Sequence, residues 1–343
     1  MEPKQWEQEK RTLGTTAGGN TYMLTLPKAW IKQLKLEKGH ALTLTWVGGG
    51  VYLELDKVED GASKSTRLDI GQALQREGLV RTLISRYIAG FNVLEISGEI
   101  SAEQRSDIRH TVQQLIGAEI LQEAGEFTLI HILRDPQVLS VRQLLDYIKD
   151  NVSSMLQDAP VALLENDREK AIGVVQRDDR VDRFFLLLSR RLYAALRDPL
   201  AEVKHRVSRV DFFNVHNASR QLERIADHAV KIAQTAQTLI EAEQPFPHDL
   251  KPLLEQAHER VQMLLKQVMS AFEGLDVEQA HSALETLNDV TQLVDALDQR
   301  LLELENTFLA HHLSTVTDSI GRVRDYAGNI AELALNAAAL SAR

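Results

Sequence analysis

An acidic pair with helical spacing, Glu223 and Asp227, marks a stretch of this chain that can do chemistry. Residues four apart lie on one face of a helix, and two carboxylates placed there repel each other by roughly a few tenths of a kcal/mol. A cation must offset that repulsion, supplied either by the nearby Arg224 and Lys231 or by a bound metal ion. The alternative is that both acids belong to a solvated polar face.

A second acidic pair, Asp178 and Asp182, has the same spacing. The chain contains no cysteine, so any metal ion must be held by oxygen or imidazole ligands. Carboxylates suit a hard or borderline divalent cation. Asp178 borders the apolar stripe of its helix, whereas Glu223 lies nearly opposite the stripe of its own helix. The spacing therefore does not show that the two pairs converge.

Both pairs lie in a helical region that contains an internal repeat. Apolar residues around Glu223 recur at alternating intervals of three and four, which predicts one helix of a bundle. Two copies of a helical unit are indicated, Ser140–Glu243 and Asp249–Ala342, divided by a linker whose prolines break any helix. The matching segments are residues 227–233 with 325–331, and residues 181–182 with 294–295.

Each copy is predicted to contain three long helices, which indicates tandem three-helix bundles. The helices of the first copy span Ser140 to about Asn166, Glu169–Leu196, and Lys204 or Val207 to Ile240. Those of the second copy span Leu250–Phe272, Val277–Phe308 and His311–Leu340.

Length, composition and charge limit the classes of protein to which this chain can belong. With 343 residues, 44% of them hydrophobic, the chain is long enough for two or three domains. No apolar run approaches the roughly 20 residues that cross a bilayer. Met1–Lys10 is charged and unlike a signal peptide, so we expect a cytoplasmic protein without membrane insertion. The net charge of −10 argues against nucleic-acid binding by the whole chain, but Gln8–Lys38 carries six cations and two anions, which favours an acidic partner there.

Residues 10–56 read as four short strands and one helical turn. So few elements cannot bury a core alone, so this module is expected to form a homodimer. The predicted strands are Arg11–Thr16, Thr21–Leu26, Ala41–Val47 and Val51–Leu55, with turns at residues 17–20 and 48–50 and a short helix over Pro27–Leu34.

Two segments of this module, Gly19–Trp30 and Leu36–His40, resemble the SpoVT/AbrB swapped-hairpin family. The shared features are a glycine turn, a strand ending in Leu-Pro, a helical turn and a Leu-x-x-Gly sequence. The resemblance implies an intertwined homodimer that binds DNA by neutralising phosphates. Two alternatives stay open: the cations only keep the protein soluble, or the module binds a partner protein. The candidate DNA-binding residues are Lys10, Arg11, Lys28 and Lys32.

Residues 65–135 are predicted to form a small mixed α/β insert with no chemical motif. We expect it to serve as a spacer or a dimerisation layer. Strands are predicted at Thr66–Ile70, Phe91–Ile96, Ala118–Glu123 and Phe127–Leu133, and helices over Gly71–Ala89 and Ser101–Ile116.

The acid pairs, the sequence Arg-Ile-Ala-Asp-His-Ala at residues 224–229 and the tandem helical units resemble the PhoU family of phosphate-signalling regulators. The resemblance implies a non-enzymatic regulator with a metal ion (iron, zinc or manganese) on the outer surface of the first bundle. Its ligands would be Asp178, Asp182, Glu223 and Asp227. In the second unit Thr291 stands in place of Asp178 and Gly321 in place of Glu223, which leaves a second site open.

The sequence thus predicts a multidomain α+β chain. Its parts are a swapped-hairpin β domain at residues 8–57, a mixed α/β domain at 65–135, and PhoU-like three-helix bundles at 138–243 and 249–342. The first functional hypothesis is a DNA-binding transcriptional regulator of phosphate uptake. The alternative is a protein adaptor that contacts a phosphate-transporter ATPase or a sensor kinase, with the swapped hairpin serving only dimerisation. A metal-dependent phosphohydrolase is disfavoured, since no nucleophile–base pair, P-loop or glycine-rich phosphate cradle is present.

Overall fold

The computed structural model describes residues 9–16, 21–47, 50–55, 64–70, 76–133 and 139–341. These residues are mostly helical with small β-sheets, and the chain divides into two compact units, Met1–Ala62 and Ser63–Arg343. None of the described helices is long and apolar enough to cross a membrane. The turns predicted at residues 17–20 and 48–49 lie outside the described residues.

The first unit contains two separate two-stranded antiparallel sheets and one short helix. Its elements are β1 (Gly14–Thr15), β2 (Tyr22–Met23), α1 (Lys28–Gln33), β3 (Leu42–Val47) and β4 (Gly50–Leu55). Pro27 precedes α1 with an extended backbone, so the helix begins one residue later than predicted. Both β1 and β2 are shorter than predicted, because neither has a further strand or a covering layer in the described part of this unit.

The described part of the first unit is almost entirely exposed. Of its described side chains only Pro27 is buried, and Trp46 and Tyr22 are 74% and 70% exposed. Soluble single chains rarely leave aromatic residues this open, so these described residues form no core of their own.

The second unit begins with a four-stranded sheet and two helices, here called the α/β layer. The strand order is β5-β6-β8-β7, with β5 parallel to β6 and the other pairs antiparallel. Its elements are β5 (Ser65–Asp69), α2 (Arg76–Ile88), β6 (Val93–Ser97), α3 (Ala102–Gln114), β7 (Ala118–Ala124) and β8 (Phe127–Ile132). Alternate strand residues such as Ile96 and Ile130 pack with Leu83 and Ile108 of the helices to form its core. Ser101 and Gln104 close the predicted capping box at the start of α3.

Seven helices make up the rest of the described chain. They are α4 (Val141–Glu165), α5 (Arg168–Arg197), α6 (Ala201–His205), α7 (Arg209–Glu241), α8 (Lys251–Gly274), α9 (Val277–Leu301) and α10 (Thr307–Ser341). The predicted start of the third helix is wrong: Lys204 belongs to the separate α6, Arg206 is left-handed (φ 52°), and Ser208 caps α7. Likewise α10 begins before His311, because the Asn306 side chain accepts a hydrogen bond from the Leu309 amide (3.1 Å).

The helices pack as two triplets that share one hydrophobic core. The first triplet is α4, α5 and α7, and the second is α8, α9 and α10; α7 also packs along α10, and α4 contacts α8. The heptad seam read from the sequence is confirmed, since Leu222, Ile225 and Ala229 of α7 are completely buried.

The α/β layer is fixed to α5 by a buried arginine. Arg190 is 4% exposed, donates hydrogen bonds to the carbonyl oxygens of Tyr87 and Phe91, and stacks on the Tyr87 ring at 4.9 Å. Arg197 donates to the carbonyl of Ala89 (2.7 Å), and Leu186 packs on the core of the layer. The insert is therefore packed on the helix that carries Asp178 and Asp182, unlike a free spacer.

We expect Arg190→Ala to lower the free energy of unfolding by about 2–4 kcal/mol, because buried carbonyl groups would lose a charged donor. Urea denaturation measures this loss. Arg183→Ala, an exposed position on the same helix, is the matched control and is expected to cost under about 0.5 kcal/mol. Equal losses in both variants would contradict a docking role for Arg190.

Candidate functional site

Helices α5 and α7 pack on each other and bring the two predicted acid pairs together. The carboxyl groups of Asp182, Asp227 and Glu223 each raise the pKa of Asp178, which places all four acids within electrostatic reach. Spacing alone left this convergence open, and the packing of the two helices provides it. Glu223 is half-buried, whereas Asp227 one turn further along α7 is exposed, so the solvated-face alternative holds for only one of the two acids.

The pKa values of all four acids are raised. Burial raises the pKa of Asp178 and of Glu223 to about 7 and that of Asp182 to about 6, and repulsion from neighbouring carboxylates adds to each shift. Burial also raises the pKa of Asp227, although Lys231 and Arg224 pull it down. A proton or a cation is therefore favoured at this cluster.

Within the described part of the chain, none of the four carboxyl groups has a hydrogen bond or an ion pair. The Oδ1 atom of Asp178 is buried without a donor. Arg224, which the sequence offered as an offsetting cation, lies over the Tyr326 ring at 5.4 Å. The four acids therefore have no direct cationic partner, although Arg224 and Lys231 lower the pKa of Asp227 from a distance.

The geometry of the cluster is not that of a metal site: no three of the described histidine, aspartate and glutamate side chains are arranged to hold a metal ion. Carboxylates are ligands that hard cations prefer, and the Oδ1 atom of Asp178 is buried without a partner. A metal ion held by Asp178, Asp182, Glu223 and Asp227 therefore stays a prediction from the sequence.

The second triplet has different residues and different pairing at the equivalent positions. Arg324 of α10 donates to Thr291 Oγ1 (2.9 Å) and to Asp325 Oδ1 (2.7 Å). In the repeat, Thr291 corresponds to Asp178 and Asp325 corresponds to Asp227. A guanidinium thus joins the two positions where the first triplet places unpaired acids. Sequence reasoning missed Arg324, although the repeat sets it against Ala226 and so marked the gain of a cation.

Two histidines of α7 lie on either side of the cluster and were also missed. His216 Nε2 lies 3.0 Å from Ser189 Oγ, its ring stacks on Phe185, and burial lowers its pKa. His228 is buried, and burial lowers its pKa to about 4, so both rings are neutral at pH 7. Their spacing of twelve residues carries no motif, so no sequence signal marked them.

The predicted DNA-binding residues lie in the first unit, far from any acid cluster in sequence. Lys10, Arg11, Lys28 and Lys32 are all exposed. Arg11 pairs with Glu9 at 2.7 Å, whereas Lys28 and Lys32 lie four residues apart on α1. The structure thus leaves two lysines on one helix open to an anionic partner.

Comparisons with known proteins concern the helical region. Residues 145–236 match the family model of the PhoU domain, a segment that runs from α4 into α7 and includes all four acids. The chain is 29% identical over 188 residues to the phosphate-specific transport system accessory protein PhoU homolog of two Caulobacter vibrioides strains. That match covers 52% of this chain and 78% of each relative. A crystal structure of PhoU from Pseudomonas aeruginosa superposes with a TM-score of 0.51 and 23% identity, covering 57% of this chain and 93% of that one.

These findings define a mostly helical protein whose residues 145–236 match the PhoU domain and whose helical region shares the fold of a solved PhoU structure. The PhoU family is supported by the domain match, by the curated relative and by the fold of the solved structure. The resemblance of the first unit to swapped-hairpin proteins stays a prediction.

Replacing two of the acids by amides is expected to stabilise the metal-free protein at pH 8. The pKa values of Asp178 and Glu223 are raised in the folded state, so the stability contributed by their protonated forms is complete below pH ~4 and is lost as pH rises through about 7. Asp178→Asn with Glu223→Gln removes that loss. After allowance for solvent screening, we expect a gain of about 1 kcal/mol, or ~2–4 °C in Tm.

Thermal unfolding in a chelator at pH 5 and pH 8 measures the effect. Asp295→Asn, at the exposed position of the second triplet equivalent to Asp182, is the control and should leave the pH profile unchanged. A double variant with the wild-type pH profile would refute the electrostatic account of the cluster.

Proposed function

We propose that this protein is a non-enzymatic cytoplasmic regulator of phosphate uptake that acts as an adaptor. The observation that carries the proposal is the PhoU-domain match over residues 145–236, which covers the helices that hold the acid cluster. A phosphate-transporter ATPase or a sensor kinase is the partner class. The relatives in Caulobacter vibrioides, named as accessory proteins of phosphate-specific transport, support this choice.

The adaptor is proposed to be a homodimer joined by the first unit, which we interpret as a swapped hairpin. Support comes from its unburied apolar side chains, among them Leu13, Leu44 and Trp46, each more than half exposed. Two short sheets and a six-residue helix cannot exclude water from them in one copy. A second copy supplies the missing cover at the lowest structural cost.

The two triplets are proposed to be tandem PhoU-like bundles of which only the first takes a metal ion, namely iron, zinc or manganese. Asp178, Asp182, Glu223 and Asp227 would hold the ion, and support comes from their lack of a direct ion pair among the described residues. In the second bundle Arg324 already supplies the positive charge. A metal ion there would have to displace an internal ion pair.

DNA binding is the second candidate function. The open positions of Lys28 and Lys32 on α1 favour it, in a chain whose net charge is otherwise −10. In this version the first unit binds DNA and the bundles report phosphate status. The adaptor version leaves the same lysines as solubilising charge.

Binding of the full-length protein to two probes tests the proposal. As an adaptor it should capture a purified phosphate-transporter ATPase subunit, and Lys28→Ala with Lys32→Ala should leave that capture unchanged. As a DNA-binding protein it should retain genomic DNA fragments. The same double variant should then reduce the slope of log K against log [salt] by about 0.9 per lost contact.

Lys266→Ala, at an exposed lysine of the second triplet, is the control for both probes. Capture of DNA but not of the ATPase subunit or a sensor kinase would overturn the adaptor proposal. Sedimentation of the same samples reports the oligomeric state, and a folded monomer would contradict the proposed dimer.

Added manganese or zinc is expected to raise the Tm of the full-length protein, because a ligand that binds only the native state stabilises it by about 2.7 kcal/mol at 100 times its Kd. Glu223→Ala with Asp227→Ala should abolish the response. Asp295→Ala with Asp325→Ala, at the matched positions of the second triplet, should retain it. If Asp295→Ala with Asp325→Ala abolished the response instead, the metal ion would bind the second triplet, which would contradict the proposal.

A further inference from the structure

A corner of the first triplet, where α5 ends, α6 follows and α7 begins, is a surface separate from the acid cluster. Helices α5 and α7 run antiparallel, because Arg168 at the start of α5 pairs with Glu241 at the end of α7 (3.7 Å) and Ser189 Oγ lies 3.0 Å from His216 Nε2. The end of α5 and the start of α7 therefore lie side by side. Residues 193–213, which include α6, are here called the corner.

Hydrogen bonds tie α6 to both long helices. Arg209 Nη2, at the start of α7, donates to the carbonyl oxygens of Asp198 (3.1 Å) and Pro199 (2.9 Å) after the end of α5, and the Arg209 amide donates to Glu202 Oε1 of α6 (2.9 Å). Lys204 of α6 pairs with the Asp198 carboxylate at 2.9 Å. Asp198 and Glu202 are half-buried, so these two acids are bonded to donors within the corner itself.

Apolar side chains on the outside of the corner are left without cover. Tyr193 follows Ser189 by one turn of α5, and Phe213 precedes His216 by one turn of α7, so the 3.0 Å contact between Ser189 and His216 places Tyr193 and Phe213 on the same side of the helix pair. Exposed apolar patches of this kind mark surfaces that contact a protein or a membrane. The side chains that are 47% to 53% exposed are Tyr193 and Leu196 of α5, Val203 of α6, and Val210 and Phe213 of α7.

The charged side chains of the corner favour an anionic partner. Arg197, Lys204 and Arg206 are exposed, and Asp211 is the one exposed acid among the described residues 193–213. Three exposed cations against one exposed acid leave +2 at this surface, in a chain whose net charge is −10. Basic and apolar side chains are therefore interleaved on one short stretch of surface.

The connection between α9 and α10 provides an internal comparison, because it is the matching corner of the second triplet. It also exposes apolar side chains, with Leu302 88% and Phe308 43% exposed. Its exposed charges have the opposite sign, since residues 298–308 carry one cation, Arg300, against three acids. The first corner thus differs from the second in charge and not in apolar exposure.

We propose that the corner of the first triplet is a contact site for the surface of an anionic lipid bilayer. The exposed apolar side chains would enter the headgroup layer, and Arg197, Lys204 and Arg206 would contact lipid phosphates. A bilayer surface satisfies both kinds of side chain together. DNA would pair with the cations and leave Tyr193 and Phe213 in water, so it fits the corner less well.

Such a contact places the protein on a membrane without crossing it. It needs only side chains at the surface, and it is compatible with the finding that no described helix is long and apolar enough to span a bilayer. The inference goes beyond the adaptor proposal and does not depend on a metal ion. It is measured with no transporter subunit present, so the two proposals fail separately.

Cosedimentation of the full-length protein with vesicles tests the proposal. We expect binding to an equimolar mixture of phosphatidylglycerol and phosphatidylcholine, and little binding to phosphatidylcholine alone. Val210→Ser with Phe213→Ser should weaken binding to the mixture about 10- to 100-fold, because two half-exposed apolar side chains are lost. Lys204→Gln with Arg206→Asn should weaken it about 25-fold, or about fivefold for each lost cation. Asparagine suits the left-handed backbone of Arg206 (φ 52°).

Two control variants change the same kinds of side chain elsewhere. Leu302→Ser removes an exposed apolar side chain from the corner of the second triplet, and Lys266→Gln removes an exposed cation from α8. Both should bind the mixed vesicles as the wild type does. Circular dichroism of every variant confirms that it is folded.

A fluorophore at the corner reports the contact directly. The chain contains no cysteine, so Val203→Cys takes a single environment-sensitive label. Its emission should shift to the blue when mixed vesicles are added, because the label enters a less polar layer. The same label at Leu302→Cys should show no shift.

Three results would overturn the proposal. The first is a folded wild type that does not bind the mixed vesicles, and the second is equal binding by the wild type and both corner variants. The third is a wild-type oligomer that Val210→Ser with Phe213→Ser dissociates in the absence of vesicles, since the corner would then be covered by a second copy of the chain.

Discussion

The repulsion among four half-desolvated carboxyl groups is the constraint around which the first triplet is built. Helix packing forces it: the seam of α7 buries Leu222 and Ile225, and the residue between them, Glu223, is carried against α5. Burial that stabilises the core thus desolvates the acids, and each of their pKa values rises. Acids with strongly raised pKa values at a helix interface are candidates for a functional site.

The two triplets differ in how the charge at these equivalent positions is balanced. One copy of the repeat keeps the acids and leaves their charge unpaired, whereas the other replaces Asp178 by Thr291 and adds Arg324. An internal guanidinium is permanent and independent of solution conditions. The repeat has therefore diverged at these positions, from acids without a direct partner in the first triplet to an internally paired guanidinium in the second.

The sequence predicts the helices and strands more readily than the way in which they pack on one another. The heptad seam, the Ser101 capping box and most helix bounds follow from local periodicity and capping chemistry, and they agree with the structure. The convergence of Asp178 with Glu223 does not follow from spacing, because it depends on the rotation of one helix against another. The hydrogen bond from Arg190 to the Tyr87 carbonyl joins residues 103 positions apart, and that from Gln114 to Asp179 joins residues 65 positions apart; no periodic signal reaches across such distances.

The buried arginine gives the insert its place in the molecule. An isolated spacer would need no charged group in its interface. Burying Arg190 has a large desolvation cost, which its carbonyl partners and the Tyr87 ring help to offset. These directional contacts orient α2 on α5. The first unit has the opposite character: its apolar residues are open and its pairing is undefined within one copy. One part of the chain is thus oriented by its own polar contacts, while the described apolar side chains of the other are left without cover in one copy.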